Sequence, residues 1–284
     1  MGKETTPFVK WVGGKKQLFE KIKERLPETF NNYYEPFIGG GAILFSLQPT
    51  NAHINDINKE LINTYQQIKD NTEELITLIH SLDSEECNNV YYKFIREKYN
   101  EKIKTNTLDV ECAAYFIYLN KHCFNGIYRV NNKGLFNVPK NTKISGSSIR
   151  DDNIRNISEY LQTVSISNMD FEEFCKDIKQ NDFVYIDSPY ISTFDSYTKD
   201  NFSLEDHQRL ARLFKELDSI GAYLMLSNSN VPMVYELYKD YNIEIVNVSR
   251  SINRIGSERR GQEVIIRNYG RNGWKWLEGY TETN

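Results

Sequence analysis

Asp187-Ser188-Pro189-Tyr190 brings together a carboxylate, a backbone carbonyl, a stiff turn and an aromatic ring. The tetrapeptide follows Asp182-Phe183-Val184-Tyr185-Ile186, whose β-branched and aromatic side chains read as a buried strand. Pro189 has no amide proton with which to extend a ladder, so the strand stops there. In an open α/β sheet, ligands bind at the carboxyl ends of strands. Acceptors from Asp187 and from the carbonyl of residue 188, beside the ring of Tyr190, suit an exocyclic amino group on a planar base. The oxygens take its protons and the ring stacks on its face. Taken alone, the same residues also read as a strand-to-loop turn capped by an aspartate.

A second group is Gly39-Gly40-Gly41, reached from Tyr33-Tyr34-Glu35-Pro36-Phe37-Ile38 and followed by the apolar helix that begins at Ala42. Glycines at a strand-to-helix turn let a ligand approach the backbone. The next strand, Ala52-His53-Ile54, closes on Asn55-Asp56. An acid at that point is placed to take the two hydroxyls of a ribose. The Gly-x-Gly-x-x-Gly fingerprint is not met, because Leu44 stands at its third glycine. The pattern therefore fits an adenosine-like ligand without a pyrophosphate. Upstream, Lys10, Trp11 and Lys15 flank Gly13-Gly14. The spacing of a nucleotide-triphosphate loop is absent there, and a tethered surface loop is an equal reading of each residue.

A third group runs from Phe124 to Lys143. Asn131-Asn132-Lys133-Gly134 between alternating runs signals a hairpin. Arg129, Lys133, Lys140 and Lys143 are mixed with Phe124, Tyr128 and Phe136. Such a hairpin has cations for phosphates, an arginine fork for guanine and a ring to wedge into a base stack. A solvated hairpin whose rings pack inward is the competing reading.

The elements that must position these groups are α/β in texture. Between Lys59 and Lys121 the periodicity is helical throughout, as in Leu61, Tyr65 and Ile68, then Tyr92, Ile95 and Tyr99. This reads as a helical insertion into one sheet. A first helix is expected through Leu18, Ile22 and Leu26 up to Pro27. After the linker Ser145-Gly146-Ser147-Ser148 come expected strands at 164–166, 182–186, 222–228, 243–246 and 264–266. A helix is expected from Ser203 to Asp218 and another around 231–238, with a polar flap at 192–198 and a basic loop at 250–254 and Arg259-Arg260. A chain of 284 residues has ample length for a core of this kind. Its 19 tyrosines favour stacking surfaces. The four cysteines lack CxxC spacing and there are only 4 histidines, so neither a metal site nor a disulfide framework is indicated. With no membrane-length apolar run and no signal-peptide core, the chain is expected to be cytoplasmic. A net charge of −4 argues weakly against an overall basic coat and not against a local basic face.

The order of Pro-Phe-Val-Lys-Trp-Val-Gly-Gly-Lys at 7–15, Glu-Pro-Phe-Ile-Gly-Gly-Gly at 35–41, Asn-Asp-Ile-Asn at 55–58, Phe-Asn-Gly-Ile-Tyr-Arg-Val-Asn at 124–131, Phe-Asn-Val-Pro at 136–139 and Asp-Ser-Pro-Tyr at 187–190 resembles the Dam-type DNA adenine-N6 methyltransferases, which include restriction-modification members acting on GATC. The resemblance spans Pro7 to about Asn268. It implies a Rossmann-like catalytic domain (1–57 and 146–284) using S-adenosylmethionine, and an inserted, mostly helical target-recognition domain (58–145) carrying the hairpin. By position, Trp11, Lys15, Phe37, Gly39, Gly41, Asp56 and Asp187 match cofactor-pocket residues. Phe124 matches the ring that enters the duplex as the adenine leaves it, and Asn125 a phosphate contact. Arg129 and Lys10 match guanine readers, Ile127 and Pro139 lie near the thymine, and Asn137 falls among the DNA contacts. Double-stranded DNA is the implied partner, with no membrane and no obligate protein partner.

The implied chemistry is methyl transfer to an extruded adenine. The catalytic residues are Asp187, the Ser188 carbonyl, Pro189 and Tyr190. The family motif usually carries two prolines before its aromatic, and Ser188 departs from that. The carbonyl survives; what is lost is the fixed φ of a proline ring. Two other functions keep part of this pattern. A non-catalytic DNA-binding module needs the Asp187 site disabled, and a small-molecule or RNA methyltransferase lacks the wedge and guanine reader at 124–129.

Overall fold

The structure, a computed structural model, describes residues 3–11, 18–142, 146–191, 202–249 and 260–270. The glycine hinge with Lys15, Lys143, the flap at 192–198, the basic loop at 250–254 and Arg259 lie outside the described residues. In chain order the strands are β1 (Tyr33–Glu35), β2 (Ala52–Asn55), β3 (Ser165–Ser167), β4 (Phe183–Ile186), β5 (Tyr223–Ser229), β6 (Asn242–Ser249) and β7 (Arg260–Arg267). The helices are α1 (Phe19–Lys23), α2 (Ala42–Leu47), α3 (Lys59–Asp70), α4 (Thr72–Asp83), α5 (Asn89–Thr105), α6 (Val110–His122), α7 (Asp151–Leu161), α8 (Phe171–Phe174), α9 (Leu204–Ser219) and α10 (Pro232–Leu237). The strands form one sheet in the order β3-β2-β1-β4-β5-β7-β6. This is the mixed α/β class that the alternation of elements predicts, with the Rossmann-like sheet that the resemblance implies.

The chain divides into two compact units. One comprises Gln17–Phe37, Asn51–Ile54 and Met169–Asn284. Here β4 pairs in parallel with β1, Val184 opposite Tyr34, and with β5, Tyr185 opposite Met225. All four residues of β4 are buried, which is why its sequence is a continuous apolar run rather than an alternating one. Helix α9 lies against β5. Leu210, Leu213, Phe214 and Leu217 of α9 share a core with Val184, Ile186, Leu224 and Leu226. Its first turn is closed by a capping box between Ser203 and Asp206. The chain runs outward from β1 to β2 on one side and from β4 to β5 on the other. The order therefore reverses between β1 and β4, the type of switch point at which α/β sheets bind ligands.

Three lengths differ from the sequence reading, and one of them is β6, which spans Asn242–Ser249 rather than 243–246. Helix α1 is shorter than the Leu18–Leu26 spacing predicts, because the Arg25 and Leu26 amides turn back onto Ile22 and Lys23 and tighten the chain ahead of Pro27. Strand β7 is longer than expected. It pairs antiparallel with both β5 and β6, and its polar residues 260–263 are held by those ladders rather than by side-chain propensity.

The other unit comprises Met1–Lys16, Ile38–Thr50 and Asn55–Asn168. Helix α6 packs against α3, α4 and α5 and is buried along nearly its whole length, from Cys112 to Asn120. A helix apolar on all sides belongs at such a centre. The helix starts follow from side-chain caps: Asn58 accepts from the Leu61 amide at 2.9 Å and Asp109 from the Cys112 amide at 2.8 Å. The hairpin segment closes its turn, with the Asn131 amide on the Leu135 carbonyl at 2.9 Å. Its arms meet only at isolated bridges, Val130 opposite Phe136 and Cys123 opposite Lys140, so no continuous strand forms. The arms are pinned from the side: Asn100 donates to the Phe136 carbonyl at 3.0 Å and accepts from its amide at 2.9 Å.

Candidate functional site

In the sheet unit, Asp187 leaves the end of β4 and Phe37 leaves the end of β1, the parallel strand beside it. A side chain of β5 reaches Asp187. Ser227 Oγ donates to Asp187 Oδ1 at 3.0 Å, and the Tyr185 hydroxyl lies 3.2 Å from Ser227 Oγ. Because Ser227 spends its proton on Asp187, the Tyr185 hydroxyl is the donor to it. Tyr185 and Ser227 are fully buried, so this chain of donors fixes the carboxylate from below. Burial and the Asp187 charge push the Tyr185 phenol well above its ordinary range.

The rest of the tetrapeptide is held as firmly. The Ile191 amide donates to Asn228 Oδ1 at 3.1 Å, and Ser229 Oγ donates to the Ile191 carbonyl at 2.6 Å. Tyr190 is half-buried and its hydroxyl donates to Glu263 Oε2 at 2.7 Å. Burial, Asp187 and Glu263 raise the Tyr190 phenol far above its usual value, so it stays protonated. Ser188 is only 2% exposed, and its Oγ has no hydrogen-bond partner among the described residues. Pro189 is exposed. Phe37 is half-buried against Phe171, with ring centroids 5.4 Å apart, and meets Phe202 edge-on at 5.7 Å.

In the helical unit the glycine turn and Asp56 come together. Gly39 and Gly41 have φ of +48° and +71°, the left-handed region that glycine enters without a Cβ penalty. The Gly39 amide donates to Asp56 Oδ2 at 3.0 Å and the Asn58 amide to Oδ1 at 2.9 Å. Burial raises the Asp56 carboxyl above its ordinary value, while those backbone donors pull the other way. A Cβ on Gly39 would lie 2.7 Å from Trp11 Cδ1, and one on Gly41 would lie 2.5 Å from the Tyr65 hydroxyl. The glycines thus also make room for the protein's own rings. Tyr65 in turn donates to the Gly39 carbonyl at 3.0 Å. Trp11 stacks on Tyr128 with centroids 5.7 Å apart. A carboxylate fixed by backbone donors, beside an indole and a tight glycine backbone, is a set of groups suited to a nucleoside with a vicinal diol.

The same unit carries the hairpin group. Phe124-Asn125-Gly126 forms a single tight turn in which Asn125 is left-handed at φ +56°. The Asn120 side chain clamps Lys10 through both its backbone groups, at 2.8 and 2.9 Å, and reaches the Gly126 carbonyl at 3.2 Å. A Cβ at Gly126 would meet the Lys10 Cδ at 2.5 Å. Lys10 is therefore laid along the turn that presents Phe124 and Asn125. Of the three rings in the segment, Tyr128 and Phe136 pack together with centroids 5.7 Å apart, whereas Phe124 is 51% exposed. Inward packing thus describes two rings and outward presentation the third. Arg129 is exposed, with Nε donating to Asn137 Oδ1 at 3.0 Å; Ile127 is half-buried and Pro139 exposed.

Sequence reasoning assigned no role to Ser227, Asn228, Ser229, Glu263 or Asn120. One signal was present: the apolar run Tyr223–Leu226 gives way to Ser-Asn-Ser within a single strand, a polar triplet where a buried strand reaches its functional end.

A profile of the family described as D12 class N6 adenine-specific DNA methyltransferase matches residues 11–252. Type II methyltransferase M1.LlaDCHI of Lactococcus lactis subsp. cremoris is 46% identical over 277 residues, covering 93% of this chain and 95% of that protein. Type II methyltransferase M.MjaIII of Methanocaldococcus jannaschii is 41% identical over 294 residues, covering 94% and 100%. The DNA adenine methylase of Escherichia coli (strain K12) is 28% identical over 274 residues, covering 94% and 96%.

Proposed function

This chain belongs to the D12 class of N6 adenine-specific DNA methyltransferases, and on that premise we propose that its methyl donor is S-adenosylmethionine and its target sequence GATC. DNA is the substrate and the adenine N6 amino group the acceptor. The reading of residue roles rests above all on one observation: the Asp-Ser-Pro-Tyr segment sits at the carboxyl end of buried β4, beside the point where the strand order reverses.

Trp11, Gly39, Gly41 and Asp56 are proposed to hold the adenosine part of the cofactor, with Lys15, Phe37 and Asp187 as further cofactor contacts. The Asp56 carboxylate accepts from the ribose hydroxyls. When bound, the sulfonium cofactor supplies a methyl group already activated for transfer. The protein's part is to present the acceptor nitrogen. That nitrogen is a poor nucleophile because its lone pair is delocalised into the ring. Asp187 and the Ser188 carbonyl accept its two N–H bonds, which favours a tetrahedral nitrogen. Pro189 stiffens the turn, and Tyr190 stacks on the base. The base must be extruded for this, since the amino group inside a duplex is out of reach. Holding the acceptor nitrogen in the orientation it needs to react would lower the barrier by roughly several kcal/mol.

Residues 58–145 are proposed as the target-recognition domain. Phe124 takes the place of the departing base in the stack, and Asn125 contacts a phosphate. Arg129 and Lys10 read guanines, Ile127 and Pro139 face the thymine, and Asn137 supports that arm. The test is a restriction digest of methylation-free plasmid incubated with the protein and S-adenosylmethionine, using an endonuclease blocked by adenine methylation within GATC. Protection that requires the cofactor and is lost in Asp187→Ala is the expected result. Methyl incorporation without protection would refute GATC while leaving the transfer intact.

A further inference from the structure

Glu263 is far in sequence from Tyr190, yet its carboxylate accepts the Tyr190 hydroxyl at 2.7 Å. Its backbone cannot yield easily. It sits in β7, opposite Ser229 of β5 on one side and Val246 of β6 on the other, so ladders hold it from both edges. Tyr190 needs such an anchor, because it follows an exposed proline outside any strand and is only half-buried. A ring that binds a base by one face gains nothing if it is free to swing about its side-chain torsions. A phenol tied to a carboxylate by a hydrogen bond is restrained at its far end.

We propose that Glu263 is a positioning residue that holds the ring of Tyr190 in the orientation needed to stack on the extruded adenine. This rests on the reading of residues 187–190 as the target-base site. Glu263 makes no contact with the reacting atoms in this scheme and acts only through the phenol. Its removal therefore loosens the ring and lowers turnover. The phenol hydroxyl serves no other purpose in the step, so its removal does the same thing.

The experiment is a double-mutant cycle on the full chain with a duplex carrying the target site: Glu263→Ala, Glu263→Gln, Tyr190→Phe, and each Glu263 variant combined with Tyr190→Phe. The expected fall in kcat/KM is about tenfold for Glu263→Ala and for Tyr190→Phe, the scale of one hydrogen bond. Glu263→Gln, which keeps an acceptor oxygen, is expected to recover most of the loss. In the Tyr190→Phe background neither Glu263 change is expected to lower activity further. Fluorescence of 2-aminopurine at the target position gives a second readout, since a loosened ring quenches the extruded base less in Glu263→Ala than in wild type. Should Glu263→Ala not fold, Glu263→Met, which keeps the side-chain length without an acceptor oxygen, takes its place in the two backgrounds. Losses that multiply, or unchanged activity in Glu263→Ala, overturn the proposal. Full activity in Tyr190→Ala instead overturns the reading of residues 187–190, which separates the two failures.

Discussion

Replacing Ser188 with alanine should make the protein more stable and leave it active. The Ser188 hydroxyl is buried, and its oxygen has no partner among the described residues. Leaving a buried polar group unsatisfied costs about 1–3 kcal/mol. Deleting the oxygen opens a void of roughly one probe sphere, 10–15 Å³. At about 24 cal/mol per Å³ that void returns only ~0.3 kcal/mol of destabilisation. The first effect wins, and a net gain of roughly 1–2 kcal/mol is expected. Urea unfolding followed by far-UV circular dichroism measures it as a higher midpoint at unchanged slope. Activity tests the second half of the argument. The proposed acceptor at 188 is the main-chain carbonyl, which alanine keeps, so kcat should stay within about threefold of wild type. A Ser188→Ala protein that is less stable than wild type would mean that the hydroxyl has a partner. A stable variant that has lost most of its turnover would mean that the side chain, not the carbonyl, serves the reaction.

Asp56→Asn should weaken S-adenosylmethionine binding by about 1–3 kcal/mol in calorimetry. Since burial raises the Asp56 carboxyl, cofactor affinity should begin to fall at a pH above the ordinary aspartate range as the acceptor is protonated; affinity flat across mildly acidic pH counts against the role. His53, stacked 4.6 Å from Tyr34, and His207 are both held below the usual 6.5 by burial. The unfolded chain then binds more protons than the folded one once pH falls below about 6.5, so stability should drop from there downward and be flat above it. A thermal midpoint that does not change between pH 7.5 and 5.5 contradicts this. Arg129→Ala should cost roughly 1–3 kcal/mol at one guanine and relax selection there. Lys133→Ala should weaken binding evenly across sequences and reduce the salt slope by about one. An oligonucleotide library varied one base at a time distinguishes the two, and an Arg129→Ala enzyme that keeps its full preference at every position refutes the guanine-reading role.

The strands and helices were largely legible because their periodicities are strong. The run from Phe183 to Ile186 has every residue buried, and the spacing of Tyr92, Ile95 and Tyr99 is a true buried face of α5. The boundaries were legible where a side chain sets them, as at Ser203, and not where tertiary pairing does. β7 extends back to Arg260 because β6 runs alongside it as far as Ser249. The hairpin was legible as a turn but not as a structure. Its arms are held by Asn100 and by the Tyr92 hydroxyl, which donates to the Val138 carbonyl at 3.0 Å, and nothing in residues 124–140 announces partners on α5. The glycine turn was read for the ligand it admits, and only packing shows that Trp11 and Tyr65 require the same glycines.

The strand residues that sequence reasoning missed share a cause. Ser227 and Glu263 are brought to Asp187 and Tyr190 by strand order alone. One of the two parallel neighbours of β4 is β5, so the polar end of β5 arrives beside Asp187. The next strand in sequence, β6, does not pair with β5. Strand β7, antiparallel to both, lies in the gap between them. That placement is what carries Glu263 to the carboxyl end of β5, opposite Ser229, and within reach of the Tyr190 hydroxyl. Had β6 paired with β5 directly, Glu263 would stand one strand further out and could not accept that bond. Local patterning can show that a strand exists, but not which strand lies beside it. The support of a site built at strand ends is therefore written in topology, and Glu263 becomes readable only once the order of β5, β7 and β6 is known.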